Sequence, residues 1–259
     1  MDNIYMPKGY EIVSINNESD IEWLYEVKFD KSCMPGQFVE VSLPKIGEAP
    51  ISITKIGDNT IELLIRKVGK VTDEIFNLKV GDKLFMRGPY GNYFDFEEFD
   101  KKDLIVISGG SGLAPVRPII NYFRGKNNFC LLAGFKNEEG ILFKDEIKQW
   151  KSENENIYIT LDCDNDVCLI GFVTEHIDLV INKIDKENCN VVVVGPPMMM
   201  KYTTQGLIER GIKEENIVVS FERNMSCAVG KCGHCKIDET YVCLEGPVFS
   251  YQKAVTLLD

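Results

Sequence analysis

No apolar run in this chain approaches the roughly 18 residues needed to span a bilayer, and Met1 to Tyr10 lacks the basic start and apolar stretch of a secretory signal. A cytoplasmic protein without a membrane span is the expectation. Positive charge is also scarce: 29 Lys and Arg stand against 40 Asp and Glu, for a net charge of −11. Nucleic-acid binding draws on clustered cations, so this balance argues against such a partner. Internal repeats and low-complexity linkers are missing too. What remains is an ordinary globular composition, 44% hydrophobic and 27% charged over 259 residues. General disorder is excluded, and two domains with a small appendage are expected.

The apolar pattern changes character along the chain. From Tyr10 to about Asp95, short β-rich runs are broken by Gly36, Gly57-Asp58, Gly81-Asp82 and Gly88-Pro89. The runs are Glu11 to Ile15, Trp23 to Phe29, Gln37 to Leu43, Ile51 to Lys55, Ile61 to Arg66 and Lys83 to Arg87. Six strands at that spacing predict a small antiparallel barrel, residues 1–99. Beyond it, apolar strands at Leu104 to Ile107, Phe129 to Ala133, Ile157 to Leu161, Val191 to Val194 and Ile217 to Phe221 alternate with helical patterns. Those patterns are Ala114 to Phe123, Phe143 to Lys151, Thr174 to Ile181 and Met198 to Arg210. Such alternation predicts an α/β domain with a parallel sheet, residues 100–220. A Gly- and Cys-rich segment, residues 221–259, completes the chain.

Nine cysteines is an odd count; five are scattered and four fall close together. Cys227, Cys232, Cys235 and Cys243 form C-x4-C-x2-C-x7-C. In a reducing compartment this reads as a metal site, not a disulfide framework. The C-x4-C-x2-C core with a later fourth cysteine is the spacing by which a loop wraps a 2Fe-2S cluster, each iron taking two thiolates. Gly230 and Gly233 would let the backbone fold tightly there. A structural zinc site is the alternative that Cys232-Gly-His234-Cys235 leaves open; His234 itself reads as a loop residue beside the ligands.

Two glycine turns follow predicted strands. Gly109, Gly110, Ser111, Gly112, Leu113 and Ala114 lie between the strand at Leu104 and a helix opened by Pro115, where glycines let a backbone approach a pyrophosphate. A tight strand-to-helix turn without ligand would look similar. Gly195, Pro196, Pro197 and Met198 follow Val191 to Val194 at the carboxyl edge of the same sheet, the edge where open α/β sheets bind ligands. In the barrel, Ala49, Pro50, Ile51 and Ser52 open one strand, Leu64, Ile65 and Arg66 end another, and Gly69, Val71 and Thr72 start a probable helix. Thr72 would ordinarily be an N-cap; a glycine, a hydroxyl and Arg66 together would also suit a phosphate.

The order of these blocks resembles the ferredoxin-NADP reductase superfamily, in the branch carrying a C-terminal 2Fe-2S segment. The blocks that carry the likeness span nearly the whole chain. They are Gly36-Gln-Phe-Val-Glu-Val-Ser-Leu-Pro44, Gly47-Glu-Ala-Pro-Ile-Ser52, Leu64-Ile-Arg-Lys-Val-Gly-Lys-Val-Thr72, Arg87-Gly-Pro-Tyr-Gly-Asn92, Val194-Gly-Pro-Pro197, Gly230-Lys-Cys-Gly-His-Cys235 and Tyr241-Val-Cys-Leu-Glu-Gly-Pro-Val-Phe249. Within the branch the chain looks most like the B subunits of anaerobic sulfite reductases. Electron-transfer subunits of dihydroorotate dehydrogenase are similar throughout but typically keep an Arg where this chain has Ala49, with a longer gap before the last cysteine. Gamma subunits of sulfhydrogenases are a third likeness.

The resemblance implies FAD held by Ala49 to Ser52, Leu64 to Arg66, and Gly69, Val71 and Thr72. It also implies NADH, or NADPH, against the two glycine turns. A 2Fe-2S cluster on the four cysteines would then pass electrons to catalytic and iron-sulfur partner subunits of a hetero-oligomeric reductase, sulfite being the implied acceptor. One departure stands out: the superfamily's flavin motif is Arg-x-Tyr-Ser/Thr, whereas Ala49 and Ile51 replace the Arg and the Tyr, leaving Arg66 to meet the phosphate charge. Ser52 near flavin N5, Glu222 near the ring and Lys136-Asn137 near a ribose are further candidates. A flavin-free, zinc-stapled binding module is the rival from another class.

Overall fold

The computed structural model describes residues 3–257 apart from 127, 165 and 167. Residues 1, 2, 258 and 259, at the ends of the expected first and last segments, lie outside the described residues. The chain divides into two compact units, one of residues 1–94 with 221–248, the other of residues 95–220 with 249–259. The Cys-rich tail is thus shared between the two.

The first unit is built on a closed barrel of six strands: β1 (Lys8–Asn17), β2 (Glu22–Lys28), β3 (Phe38–Leu43), β4 (Gly47–Ile56), β5 (Thr60–Arg66) and β6 (Lys83–Tyr90), ordered β1-β2-β5-β4-β3-β6. Every neighbouring pair is antiparallel. Period-two alternation sends Tyr25 and Val27, Val39 and Val41, Ile61, Leu63 and Ile65, and Leu84 and Met86 into one core. A short helix, α1 (Lys70–Ile75), leaves the end of β5 and buries Thr72 and Ile75.

The second unit begins with α2 (Phe96–Phe99) and carries β7 (Asp103–Gly109), α3 (Leu113–Phe123), β8 (Phe129–Phe135), α4 (Lys144–Glu153), β9 (Ile157–Leu161), β10 (Leu169–Ile170), α5 (Ile177–Ile181), β11 (Cys189–Val194), α6 (Pro197–Glu209) and β12 (Ile217–Ser220). The tail adds β13 (Lys236–Ile237) and β14 (Thr240–Tyr241) as a small hairpin, then α7 (Val242–Glu245), β15 (Val248–Ser250) and α8 (Tyr251–Ala254). The large sheet runs β10-β9-β8-β7-β11-β12-β15. From β10 to β12 its pairs are parallel, and β11 is buried along its full length, as a sheet covered by helices requires. Chain order reverses at β7, which has β8 on one side and β11 on the other, so the crevice for a ligand falls at the carboxyl ends of β7 and β11. Helix α3 opens at Leu113, ahead of Pro115, because a 3-10 turn at Gly110–Gly112 feeds directly into it.

One barrel residue breaks the apolar rule. Glu40 on β3 is fully buried, and neither carboxylate oxygen has a hydrogen-bond partner. Burial pushes its pKa up from 4.5 to about 7, with Arg87 opposing the rise and Glu48 and Cys227 adding to it. Between those pH values the folded chain holds a proton that the unfolded chain has released, so stability falls as pH rises through this window and levels off above it. Glu40→Gln should match the parent near pH 4.5 and become progressively more stable than it up to about pH 7. The gain should be on the order of 3 kcal/mol. Denaturant unfolding of both proteins across the window checks this; a difference independent of pH would contradict it.

Candidate functional site

In the barrel unit the three expected flavin segments come together. Strands β4 and β5 are neighbours, with Ile53 opposite Leu63, so Ala49 to Ser52 lie alongside Leu64 to Arg66. Helix α1 returns to the start of β4, where a Cβ on Gly47 would sit 3.0 Å from a methyl of Val71. Ala49, Pro50 and Ser52 are half-buried, and Ile51, also half-buried, packs against the barrel core. Arg66 is half-exposed, its Nε 3.7 Å from Glu22, and exposed Glu222 lies within electrostatic reach of it. Thr72 is not an N-cap: it stands at N3, behind Gly69. Its hydroxyl accepts from the amides of Val68 (3.0 Å) and Gly69 (3.1 Å) and donates to the Gly69 carbonyl (3.0 Å). That oxygen closes the turn.

The cysteine loop belongs to the same unit. The amides of Val229, Lys231 and Cys232 donate to Cys227 Sγ at 3.3 to 3.5 Å, and that of Gly230 to Cys243 Sγ at 3.2 Å. Gly230 makes this possible with φ +68. Cys232 lies within electrostatic reach of Cys227, and Cys235 and Cys227 within reach of Cys243. Burial resists ionisation of Cys227, yet the three amides and the Cys232 thiol bring its pKa down to about 6. Cys243 goes the other way, to about 12, through burial and its neighbour Cys235. Among the described residues, no three His, Cys, Asp or Glu side chains converge to hold a single ion. Four cysteines in one loop, with inward amides on Cys227 and Cys243, fit the donor set of a two-iron cluster, whose sulfurs take N–H bonds. His234 bonds instead to Ser226 Oγ, 2.6 Å away.

Sequence reasoning passed over the group that anchors this loop. Arg87 on β6 is 4% exposed. It donates to both Glu48 oxygens (2.6 to 3.2 Å) and to the carbonyls of Cys227 (2.7 Å) and Ser226 (2.5 Å). The only sequence signal was its place in the Arg87-Gly-Pro block.

In the second unit, the pairing of Val194 with Ser108 sets both glycine turns side by side at the switch point. They touch: a Cβ on Gly112 would lie 2.4 Å from the Val194 carbonyl oxygen, and one on Gly109 3.2 Å from Pro196. Gly110 differs, with φ +53 and nothing within 4 Å of a Cβ. Of Gly109, Gly110 and Gly112, Gly110 alone faces open space. The hydroxyls of Ser108 on β7 and Thr160 on β9 are fully buried and have no hydrogen-bond partner among the described residues. Asn137 caps a 3-10 turn by accepting from Gly140 N at 3.0 Å.

Two family models match the chain: an oxidoreductase NAD-binding domain over residues 106–205, and the iron-sulfur cluster binding domain of dihydroorotate dehydrogenase B over residues 222–255. Among curated relatives, sulfhydrogenase 1 subunit gamma of Pyrococcus furiosus is 33% identical, covering 100% of this chain and 96% of the relative. The probable dihydroorotate dehydrogenase B electron transfer subunit of Methanothermobacter thermautotrophicus is 33% identical over 98% of this chain and 92% of its own. The chain belongs to this family of electron-transfer subunits. The family's fold recurs in a solved NADH-dependent reduced ferredoxin-NADP oxidoreductase, with a TM-score of 0.78, 24% identity and coverage of 96% and 92%. The matched models support NAD and an iron-sulfur cluster as cofactors. None of the relatives named here is a sulfite reductase subunit, so the expectation of sulfite reduction gains no support. No helix among the described residues is long and apolar enough to cross a membrane.

The contrast between the two glycines is testable without any cofactor. Gly112→Ala forces a methyl into the Val194 backbone and should lower stability by about 1 to 3 kcal/mol, read as a drop in the unfolding temperature. A fully stable Gly112→Ala protein would show that the two turns are not in contact.

Proposed function

We propose that this chain is the electron-transfer subunit of an NADH-dependent hetero-oligomeric oxidoreductase, with FAD on β4, β5 and α1 and a 2Fe-2S cluster on Cys227, Cys232, Cys235 and Cys243. When bound, the nicotinamide supplies a hydride, the flavin splits its electron pair, and the cluster carries single electrons. The protein's own contribution is binding, placement and electrostatics. Gly110 leaves the backbone open where a pyrophosphate would rest at the start of α3. Ala49 to Ser52 and Leu64 to Arg66 form the flavin shelf, Arg66 supplying positive charge that Ala49 cannot. The loop amides stabilise thiolate charge at Cys227.

The single observation that carries this reading is the turning of four loop amides onto Cys227 and Cys243 in the segment matched by an iron-sulfur domain model. Full-length coverage by a sulfhydrogenase gamma subunit, together with Ala49 and the short gap before Cys243, favours a partner of that kind as acceptor. A dihydroorotate dehydrogenase B catalytic subunit is the second reading, favoured by the match at residues 222–255.

Each of Cys227, Cys232, Cys235 and Cys243 changed to Ser should abolish the visible cluster absorbance of anaerobically purified protein. Cys33, Cys130 and Cys189 changed to Ser should leave it intact. Stoichiometric zinc in place of iron and acid-labile sulfide would overturn the assignment. Gly110→Val should slow flavin bleaching by NADH at least about tenfold while FAD and cluster spectra persist, whereas Cys232→Ser should still be bleached but fail to reduce an acceptor. Rapid-mixing spectroscopy follows both; wild-type bleaching by folded Gly110→Val would remove the nicotinamide from this turn.

A further inference from the structure

Arg87 holds two things at once. Its carboxylate partner, Glu48, immediately precedes Ala49 to Ser52 on β4, and its carbonyl partners are Ser226 and Cys227, the latter the first of the four thiol residues. The Tyr90 ring lies 5.5 Å from the guanidinium and the Tyr90 hydroxyl 3.3 Å from Nη1. A guanidinium carries five N–H groups in a rigid plane, and here each nitrogen has a bonded partner. Burying so polar a side chain is costly unless it is fully paired, so this arrangement is an organised joint.

We propose that Arg87 is a positioning residue that fixes the backbone of Cys227 against the strand carrying the flavin segment, and so sets the geometry of the cluster's first ligand. The inference rests on the reading of Cys227 as a cluster ligand. A lysine reaches the same place with the same charge, but it is a point donor without a planar fork and cannot span a carboxylate and two carbonyls in one geometry. The position therefore needs the shape of arginine as well as its charge.

The test compares the wild-type chain with Arg87→Lys, Arg87→Ala and Glu48→Gln, all purified anaerobically. The rate of iron loss to a strong chelator, the electron paramagnetic resonance spectrum of the dithionite-reduced cluster and the FAD content are measured on each. Arg87→Lys should lose iron about tenfold faster than wild type and show an altered or broadened cluster signal while retaining FAD. Glu48→Gln, which keeps an oxygen acceptor for the guanidinium, should fall between the two. Should Arg87→Ala fail to fold, Lys and Gln at these positions preserve bulk and decide the matter. Wild-type iron retention and an unchanged resonance spectrum in Arg87→Lys overturn the positioning role alone. A wild-type protein without iron and sulfide overturns instead the reading on which it rests.

Discussion

Negative charge on thiolate sulfur must be met by N–H groups, and the Cys-rich segment is shaped by that requirement. Three amides face Cys227 Sγ and one faces Cys243 Sγ. A loop that turns its amides inward within so few residues needs left-handed backbone, found at Ala228, Gly230 and Gly233. It also needs outside partners for its carbonyls, and Arg87 provides two. Because Arg87 is bound in turn by Glu48, the demand made by sulfur charge propagates into the barrel wall, where Glu40 pairs in register with Arg87.

The nucleotide unit solves a different problem, close approach of backbone to backbone. Parallel pairing of β7 with β11 makes two turns emerge at the same level. Glycine at 112 answers to the neighbouring turn, while glycine at 110 answers to its own backbone conformation and leaves the adjoining space clear. Two glycines in one short motif therefore have separate physical reasons, and only one of them leaves room for a ligand.

The fold was legible wherever burial imposes a period. Ile61, Leu63 and Ile65 alternate inward as their spacing suggests, and the apolar run Leu104 to Ile107 lies within the central strand β7. Short pieces were not: β10 has two residues and β15 three, too few for a period to register, and both join the large sheet through tertiary pairing. Sequence left Thr72 between a cap and a phosphate contact, and the structure sets it at N3, from which a hydroxyl near a helix start also closes the turn. The C-x4-C-x2-C-x7-C spacing stands out in sequence because spacing is a local property. Arg87 was not, since its partners are distant in sequence and only the folded barrel gathers them. Ser108 and Thr160 look like routine strand residues until their hydroxyls are found without partners.

The path of the chain after β12 carries one more consequence. From Phe221 to Val248 it belongs with the barrel unit, and at Phe249 it rejoins the nucleotide unit. The metal-binding stretch is thus an excursion moored at both ends, with β15 and α8 following it. A free tail frays from its tip, but a moored excursion has no tip from which to peel and begins with less conformational freedom to lose on ordering. It is a poor candidate for a detachable cassette: shortening the chain to just past Cys243 would remove a sheet strand along with one of the moorings.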